Sequence, residues 1–257
     1  MRRFGLIGYP LTHSFSRKYF KEKFLKENLE AHFYQNFPLQ EINDFESILL
    51  QNPDILGLNV TIPYKVAIIP FLNELDETAK AVGAVNTIKI TRLNKTKNLE
   101  SIKKDFYLKG FNTDTYGFEM SLKPLLQPNH YKALILGTGG ASKAIEYVFN
   151  KLGIEYLIVS RNPKGDNQVA YSELNDTAIK NFRLIVNTTP LGTYPNVDEC
   201  PDIPYQYITH QHFLYDLVYN PEETLFLKHG KEKGAIIQNG LSMLKLQAEK
   251  AWEIWNK

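Results

Sequence analysis

Lys65 ends the stretch "LNVTIPYK", residues 58–65, directly after an apolar run that reads as a buried strand. An amine in that place can move a proton. If Pro63 opens a helix, Lys65 falls in its first turn, where the positive end of the dipole and partial desolvation both disfavour the ammonium form. The polar residues nearby have a common character. Asn59 and Thr61 alternate with Leu58, Val60 and Ile62 and so share one strand face. Asn86 in "GAVNT" and Asp114 in "GFNTD" close two further strand-like segments, and Ser14 and Ser16 in "HSFS" flank a single residue. Amides, hydroxyls, one amine and one carboxylate at strand ends suit a small polyhydroxylated acid better than an apolar ligand.

A second constellation lies in "LILGTGGASKA", residues 134–144, where Gly137, Gly139 and Gly140 join a hydrophobic strand to a helix. Small residues there let the backbone approach a pyrophosphate, whose charge rests on N–H groups at the helix N-terminus. The sixth position of the dinucleotide pattern is Ser142 rather than Gly or Ala, so either the helix packs less closely or the hydroxyl helps hold phosphate. A fold of this kind that binds NAD carries an acid about 20 residues further on, to accept from the ribose 2′-hydroxyl. Here the next strand ends in "VSRNPKG", with Ser160, Arg161, Asn162 and Lys164 in place of an acid. Donors and positive charge suit a 2′-phosphate, so the predicted cofactor is NADP. A nicotinamide cofactor delivers hydride and needs a proton donor or acceptor beside the reacting oxygen, the task for which Lys65 is the candidate.

These groups need a scaffold, and the pattern around them is α/β. Strands are expected at 4–8, 33–37, 55–62 and 84–91, with a return strand at 106–111. A helix capped by Ser14 or Ser16 would place Phe20, Phe24 and Leu25 on one face. A helix over 39–50 would turn Ile42, Phe45, Ile48 and Leu49 inward. Short helices are expected at 64–72 and 76–82, and the polar residues 92–105 read as the turn of an antiparallel hairpin. After a connecting helix at 115–126, stopped by Pro128, a second series starts with a strand at 132–137 and a helix at 141–152. Strands at 156–160, 184–187, 213–217 and 235–238 follow. An amphipathic helix runs from Gly240 to the end, with Leu244, Ala248, Ala251 and Trp255 on one stripe. Two α/β domains joined by a helix, with a cleft between them, are the expected architecture.

The chain has 257 residues, enough for one large domain or two small ones. Its 43% apolar and 23% charged residues exclude disordered, collagenous and membrane classes. The net charge of +2 is scattered, and the cluster Lys95, Lys97, Lys103 and Lys104 reads as a solvated hairpin, so no nucleic-acid partner is expected. Cys200 is the single cysteine, which excludes an internal disulfide and a multi-cysteine metal site. No metal is expected. The N-terminus enters a strand pattern without a leader, which points to the cytoplasm.

Taken together, "GYPLTHSFS", "NVTIPYK", "GAVNT", "NTD", "GTGGASKA", "NTTPLG", "YDLVYNP" and "NGLSMLKLQ" closely resemble the shikimate/quinate dehydrogenase family over nearly the whole chain. The resemblance implies an N-terminal substrate-binding domain with a mixed sheet over 1–114, with the helix 240–257 packed back on it. It also implies a Rossmann-type NADP-binding domain over 115–239. By resemblance, Ser14, Ser16, Asn59, Thr61, Lys65, Asn86, Asp114, Tyr219 and Gln247 would contact shikimate, with Lys65 and Asp114 as the catalytic pair. Gly137, Thr138, Gly139, Gly140, Ala141, Ser142, Ser160, Arg161, Asn162, Thr188, Leu217 and Gly240 would contact NADP. The implied reaction is the reversible reduction of 3-dehydroshikimate to shikimate, by a monomer or homodimer. The chain has Ser160 where the family often has asparagine, and Asn162 followed by proline where it has threonine. His13 and Glu77 stand beside family motifs and are as well explained as surface residues. A quinate/shikimate dehydrogenase that uses NAD, and a non-catalytic sensor on the same fold, remain alternatives.

Overall fold

The computed structural model describes residues 1–11, 14–93 and 102–257. His13, Lys95 and Lys97 lie outside the described residues. The chain divides into two compact units, Met1–Thr113 with Ala248–Lys257, and Asp114–Gln247.

The first unit is built on a six-stranded mixed sheet. In chain order it contains β1 (Arg2–Gly8), α1 (Phe15–Lys26), β2 (His32–Pro38), α2 (Phe45–Gln51), β3 (Ile55–Val60), β4 (Glu74–Leu75), α3 (Glu77–Val82), β5 (Thr87–Arg92), α4 (Ile102–Asp105) and β6 (Phe106–Phe111). The strand order is β2-β1-β3-β5-β6-β4. β1 runs parallel to β2 and β3, as two βαβ passes require, while β5 is antiparallel to both β3 and β6. One face packs Ile7, Leu58, Val60, Ile88 and Leu108 against Phe45 and Leu49 of α2. The other face packs Phe4 and Leu6 against Phe20 and Phe24 of α1, and against Ala251 and Trp255 near the chain's end. Gly57 is required by that packing, because a Cβ there would overlap the Trp255 indole, which donates from Nε1 to Ile88 O at 3.0 Å.

Several boundaries differ from those read in the sequence. Leu25 is 72% exposed; at 100° per residue it lies well off the face that Phe20 and Phe24 share. The expected helix at 39–50 is a 3₁₀ turn over Ile42–Asp44 followed by α2. Strand β3 stops at Val60, and Ile62 is 74% exposed. No α-helix forms over 64–72: the segment is turns ending in a 3₁₀ stretch, Ile69–Phe71. Pro70 has no N–H to give to Val66, and the tighter bonds Ile69 N–H to Val66 O and Phe71 N–H to Ile68 O close the turns instead.

The second unit contains α5 (Asp114–Leu122), β7 (Lys132–Leu136), α6 (Gly140–Leu152), β8 (Glu155–Ser160), β9 (Gln168–Ala170), α7 (Asp176–Asn181), β10 (Leu184–Asn187), β11 (Phe213–Asp216), α8 (Leu225–Glu232), β12 (Ile236–Gln238) and α9 (Leu241–Asn256), whose residues from Ala248 belong to the first unit. The sheet is parallel throughout, in the order β12-β11-β10-β7-β8-β9. Its strands read as continuous apolar runs because both faces are covered. Phe118, Ile145, Val148 and Phe149 cover one face, and Ile179, Ile203, Phe226 and Leu227 the other. The chain winds outward from β7 through β8 to β9, then returns to the far side of β7 as β10. The switch point of this doubly wound sheet is therefore between β7 and β10.

Candidate active site

In the first unit the segment that carries Lys65 is fixed by backbone bonds on both sides. Val60 N–H donates to Asn86 O at 2.8 Å and Thr61 N–H to Ile7 O at 3.0 Å, while Lys65 O accepts from Val85 N–H at 2.7 Å. Tyr64 is buried, and its phenol lies 2.6 Å from Leu39 O and 2.7 Å from Gln40 O. Lys65 itself is half-buried. Because its backbone is a turn, no helix dipole acts on the amine. Its position comes from the tie to the "GAVNT" segment.

Behind this segment lies a chain of buried polar groups. Tyr34 donates to Asn59 Oδ1 at 2.7 Å. Asn59 Nδ2 donates to Thr87 Oγ1 at 3.2 Å, and Thr87 Oγ1 in turn donates to Asn86 Oδ1 at 3.1 Å. Asn86 Oδ1 also accepts from Thr113 N–H at 2.7 Å, and one Nδ2 proton of Asn86 goes to Thr113 Oγ1 at 3.0 Å. Burial pushes the Tyr34 phenol well above its ordinary pKa, and a hydrogen bond from Ser16 offsets part of that rise. Ser16, Asn59 and Asn86, all expected as ligand contacts, thus belong to one neutral network. Sequence reasoning missed Tyr34, Thr87 and Thr113, which complete it. For Tyr34 and Thr87 the signal is a polar tip on an inward strand position; Thr113 follows the end of β6 and carries none. Ser14 caps α1, its Oγ accepting from Arg17 N–H at 3.1 Å. Thr61 is half-buried at the end of β3.

In the second unit the ends of β7, β8 and β10 surround a cavity of about 840 Å³. Gly137, Thr138 and Gly139 line it from the glycine loop, Ser160, Arg161, Asn162 and Lys164 from the turn after β8, and Thr188 from the end of β10. These expected residues are therefore brought together at the switch point. The wall also takes Gln168 from the start of β9, Tyr171 from the 3₁₀ turn after it, and Thr189, Leu191, Cys200 and Asp202 from loops; none is among the expected cofactor contacts, because such short or irregular segments carry little periodicity. Ser160 is buried, and its hydroxyl accepts from Asn162 N–H at 3.2 Å, which shapes the turn that presents Arg161 to solvent.

The glycines test whether this cavity fits a dinucleotide. Gly137 has φ +106°, a conformation that side chains rarely adopt. Gly139 and Gly140 have negative or helical backbones, and a Cβ on either would meet nothing within 4 Å. Neither conformation nor internal packing demands glycine there. Helix α6 also starts without a side-chain cap. A bare helix N-terminus under two glycines is a fitting cradle for a pyrophosphate. Ser142 is buried and donates to Gly139 O at 2.6 Å, so its hydroxyl is committed to the helix turn. Ala141 lies in the first turn of α6. Gly240 has a packing reason, since a Cβ would overlap Leu217 O.

Asp114 is half-buried as the first residue of α5, where a helix N-terminus favours a carboxylate. Gln247 is buried on α9 and donates to Leu244 O at 3.0 Å. Tyr219 is half-buried after β11, and burial raises its pKa, so the phenol stays a neutral donor.

A parallel, doubly wound sheet with a glycine cradle at its switch point, in a chain whose other unit is built on a mixed sheet, defines a two-unit α/β protein of the Rossmann-type dinucleotide-binding class. The shikimate dehydrogenase substrate binding domain family matches residues 6–88. A shikimate dehydrogenase (NADP(+)) from Methanosphaera stadtmanae is 35% identical over 270 residues, covering 98% of this chain and 90% of the relative. One from Carboxydothermus hydrogenoformans is 38% identical over 266 residues, with the same coverage. Among solved structures, shikimate 5-dehydrogenase from Thermus thermophilus in complex with NADP(H) and shikimate superposes with a TM-score of 0.81 at 29% identity, over 99% of this chain and 93% of that one. The chain belongs to the shikimate dehydrogenase family.

Proposed function

We infer that this chain catalyses the reversible, NADPH-dependent reduction of 3-dehydroshikimate to shikimate, a step toward chorismate and the aromatic amino acids. The observation that carries this reading is the cavity of the second unit: a glycine cradle and the Ser160–Arg161–Asn162–Lys164 turn on one wall, in a chain that matches NADP-dependent relatives along its length. When bound, NADPH supplies the hydride to the ketone carbon.

The chain's own residues do the rest. Lys65, as ammonium, donates a proton to the forming alkoxide and takes it back in the oxidative direction, with Asp114 as its acidic partner. Ser14, Ser16 and Tyr219 hydroxyls donate to the substrate carboxylate without a full neutralising charge, Ser16 turning its one proton from Tyr34 to the ligand. Asn59, Thr61, Asn86 and Gln247 offer both donors and acceptors to ring hydroxyls. Arg161 and Lys164 attract the 2′-phosphate as cations, and the helix α6 N-terminus takes the pyrophosphate. Small molecules are the partners; neither nucleic acid nor membrane takes part. Among the described residues, no helix is long and apolar enough to cross a membrane. The enzyme works in the cytoplasm, as a monomer or homodimer.

Absorbance at the nicotinamide band, with shikimate or quinate each paired with NADP and NAD, tests the reading. The highest rate is expected with shikimate and NADP. No rate with any pair would overturn it.

A further inference from the structure

Asp216 ends β11 with no exposure to solvent, and the proposed chemistry does not use it. Its carboxylate accepts three hydrogen bonds. Oδ1 takes Asn187 Nδ2 and Val218 N–H, both at 3.0 Å, and Oδ2 takes the Thr224 hydroxyl at 2.5 Å. Asn187 is equally buried and sits opposite Asp216 in the register of β10 and β11. The other end of its amide faces the cavity wall, where Oδ1 accepts from Thr189 N–H at 3.0 Å and from the Thr189 hydroxyl at 2.6 Å. That hydroxyl accepts in turn from Leu191 N–H at 3.3 Å. Thr188, Thr189 and Leu191 all line the cavity.

The chemistry of these groups makes the arrangement directional. An ionised carboxylate only accepts, so it selects the NH₂ end of the Asn187 amide. The Thr189 N–H only donates, so it needs the oxygen end. With Asp216 in place, one amide orientation satisfies both sides and the other satisfies neither. A buried carboxylate is costly to keep, and burial holds this one at a raised pKa despite three donors. A cost without a direct role in the reaction calls for a structural return.

We propose that Asp216 is a positioning residue for the cofactor, fixing through Asn187 the Thr188–Leu191 wall against which NADP binds. The inference rests on the reading of the cavity as the NADP site. It concerns affinity rather than the chemical step: Asp216 sets where the wall stands before the cofactor arrives.

The test is NADP affinity by fluorescence titration, alongside the KM for NADP and kcat, on variants shown to be folded by their cooperative melts. Asp216→Ala is expected to weaken NADP binding roughly ten- to a hundred-fold, the size of a lost hydrogen bond to a charged group, with a smaller change in kcat. Asp216→Asn can keep its oxygen toward Asn187 and Val218 while its NH₂ meets the Thr224 hydroxyl, and should recover affinity to within a few-fold of the parent. Asn187→Ala leaves Asp216 its bonds to Val218 and Thr224, and does not itself line the cavity. It should weaken NADP as Asp216→Ala does, and it serves if the latter does not fold. Unchanged NADP affinity in a folded Asp216→Ala or Asn187→Ala overturns the proposal, as does an Asp216→Asn as weak as Asp216→Ala. A parent chain that binds no NADP would instead overturn the reading of the cavity, and this inference with it.

Discussion

In the first unit the buried polar chain of Tyr34, Asn59, Thr87, Asn86 and Thr113 contains no charge. In the second, the buried cluster of Asn187, Asp216 and Thr224 is centred on a carboxylate. Each holds its asparagine amides in one orientation: Asn59 and Asn86, themselves proposed ligand contacts, in the first, and Asn187, beside the cavity wall, in the second. They differ in what holds it. The neutral chain does so by mutual donation, each hydroxyl and amide both giving and receiving, and no member titrates in the ordinary range because burial raises the Tyr34 phenol further still. The charged cluster uses an acceptor that cannot reverse while it is ionised, which ties the stability of the cluster to pH. A substrate rich in hydroxyls suits the first device, and a fixed wall for a cofactor suits the second.

The largest expected effect falls on the first unit. Lys65→Ala should lose roughly a hundred-fold or more in turnover, the usual size of a general acid–base contribution, with NADP affinity little changed. Steady-state rates and a cofactor titration on the same preparation check this. Near-normal turnover would leave the first unit without its chemical role.

Next comes the difference in titration. The Asp216 carboxyl is raised by burial from 3.8 to about 6. Between those values the folded state binds more protons than the unfolded one, so the stability this group contributes is fully present below 3.8 and lost as pH rises through about 6. That amounts to about 3 kcal/mol over the whole window. Urea denaturation of the parent and Asp216→Asn across this range should therefore show the parent losing stability relative to the variant as pH rises. Parallel curves would mean that the two networks respond to pH alike.

The smallest effects separate glycines kept for packing from glycines kept for a ligand. Gly57→Ala drives a methyl into the Trp255 indole and should cost about 1–3 kcal/mol in a melt. Gly140→Ala meets open space and should leave stability unchanged or about 0.5 kcal/mol higher, yet weaken NADP binding. A Gly140→Ala chain that binds NADP as tightly as the parent would remove the pyrophosphate role of that turn.

These contrasts also mark what the sequence could disclose. Strands β6 and β10 are found where apolar alternation or continuity placed them, and the glycine loop was legible because strand, glycines and helix occur in a fixed order. The helix expected after Pro63 was not there, because a proline signals a helix start only where the following N–H groups can continue the ladder, and Pro70 interrupts it. The residues that support the sites were the least legible. Tyr34, Thr87, Thr113, Asn187 and Asp216 sit within strands or at their ends, where burial, rather than spacing, gives a polar group its meaning. Strand β9 and helix α7 are illegible because they carry less than two alternations or two turns of pattern, and α8 barely exceeds two turns.

The proposed reaction turns on direct hydride transfer between the carbinol carbon of shikimate and the nicotinamide of NADP. The most direct measurement uses shikimate deuterated at the carbon whose hydroxyl becomes the ketone, with mass analysis of the reduced cofactor after turnover with NADP. One deuterium is expected in each reduced nicotinamide. Reduced cofactor carrying only protium, with the label released to solvent, would contradict it.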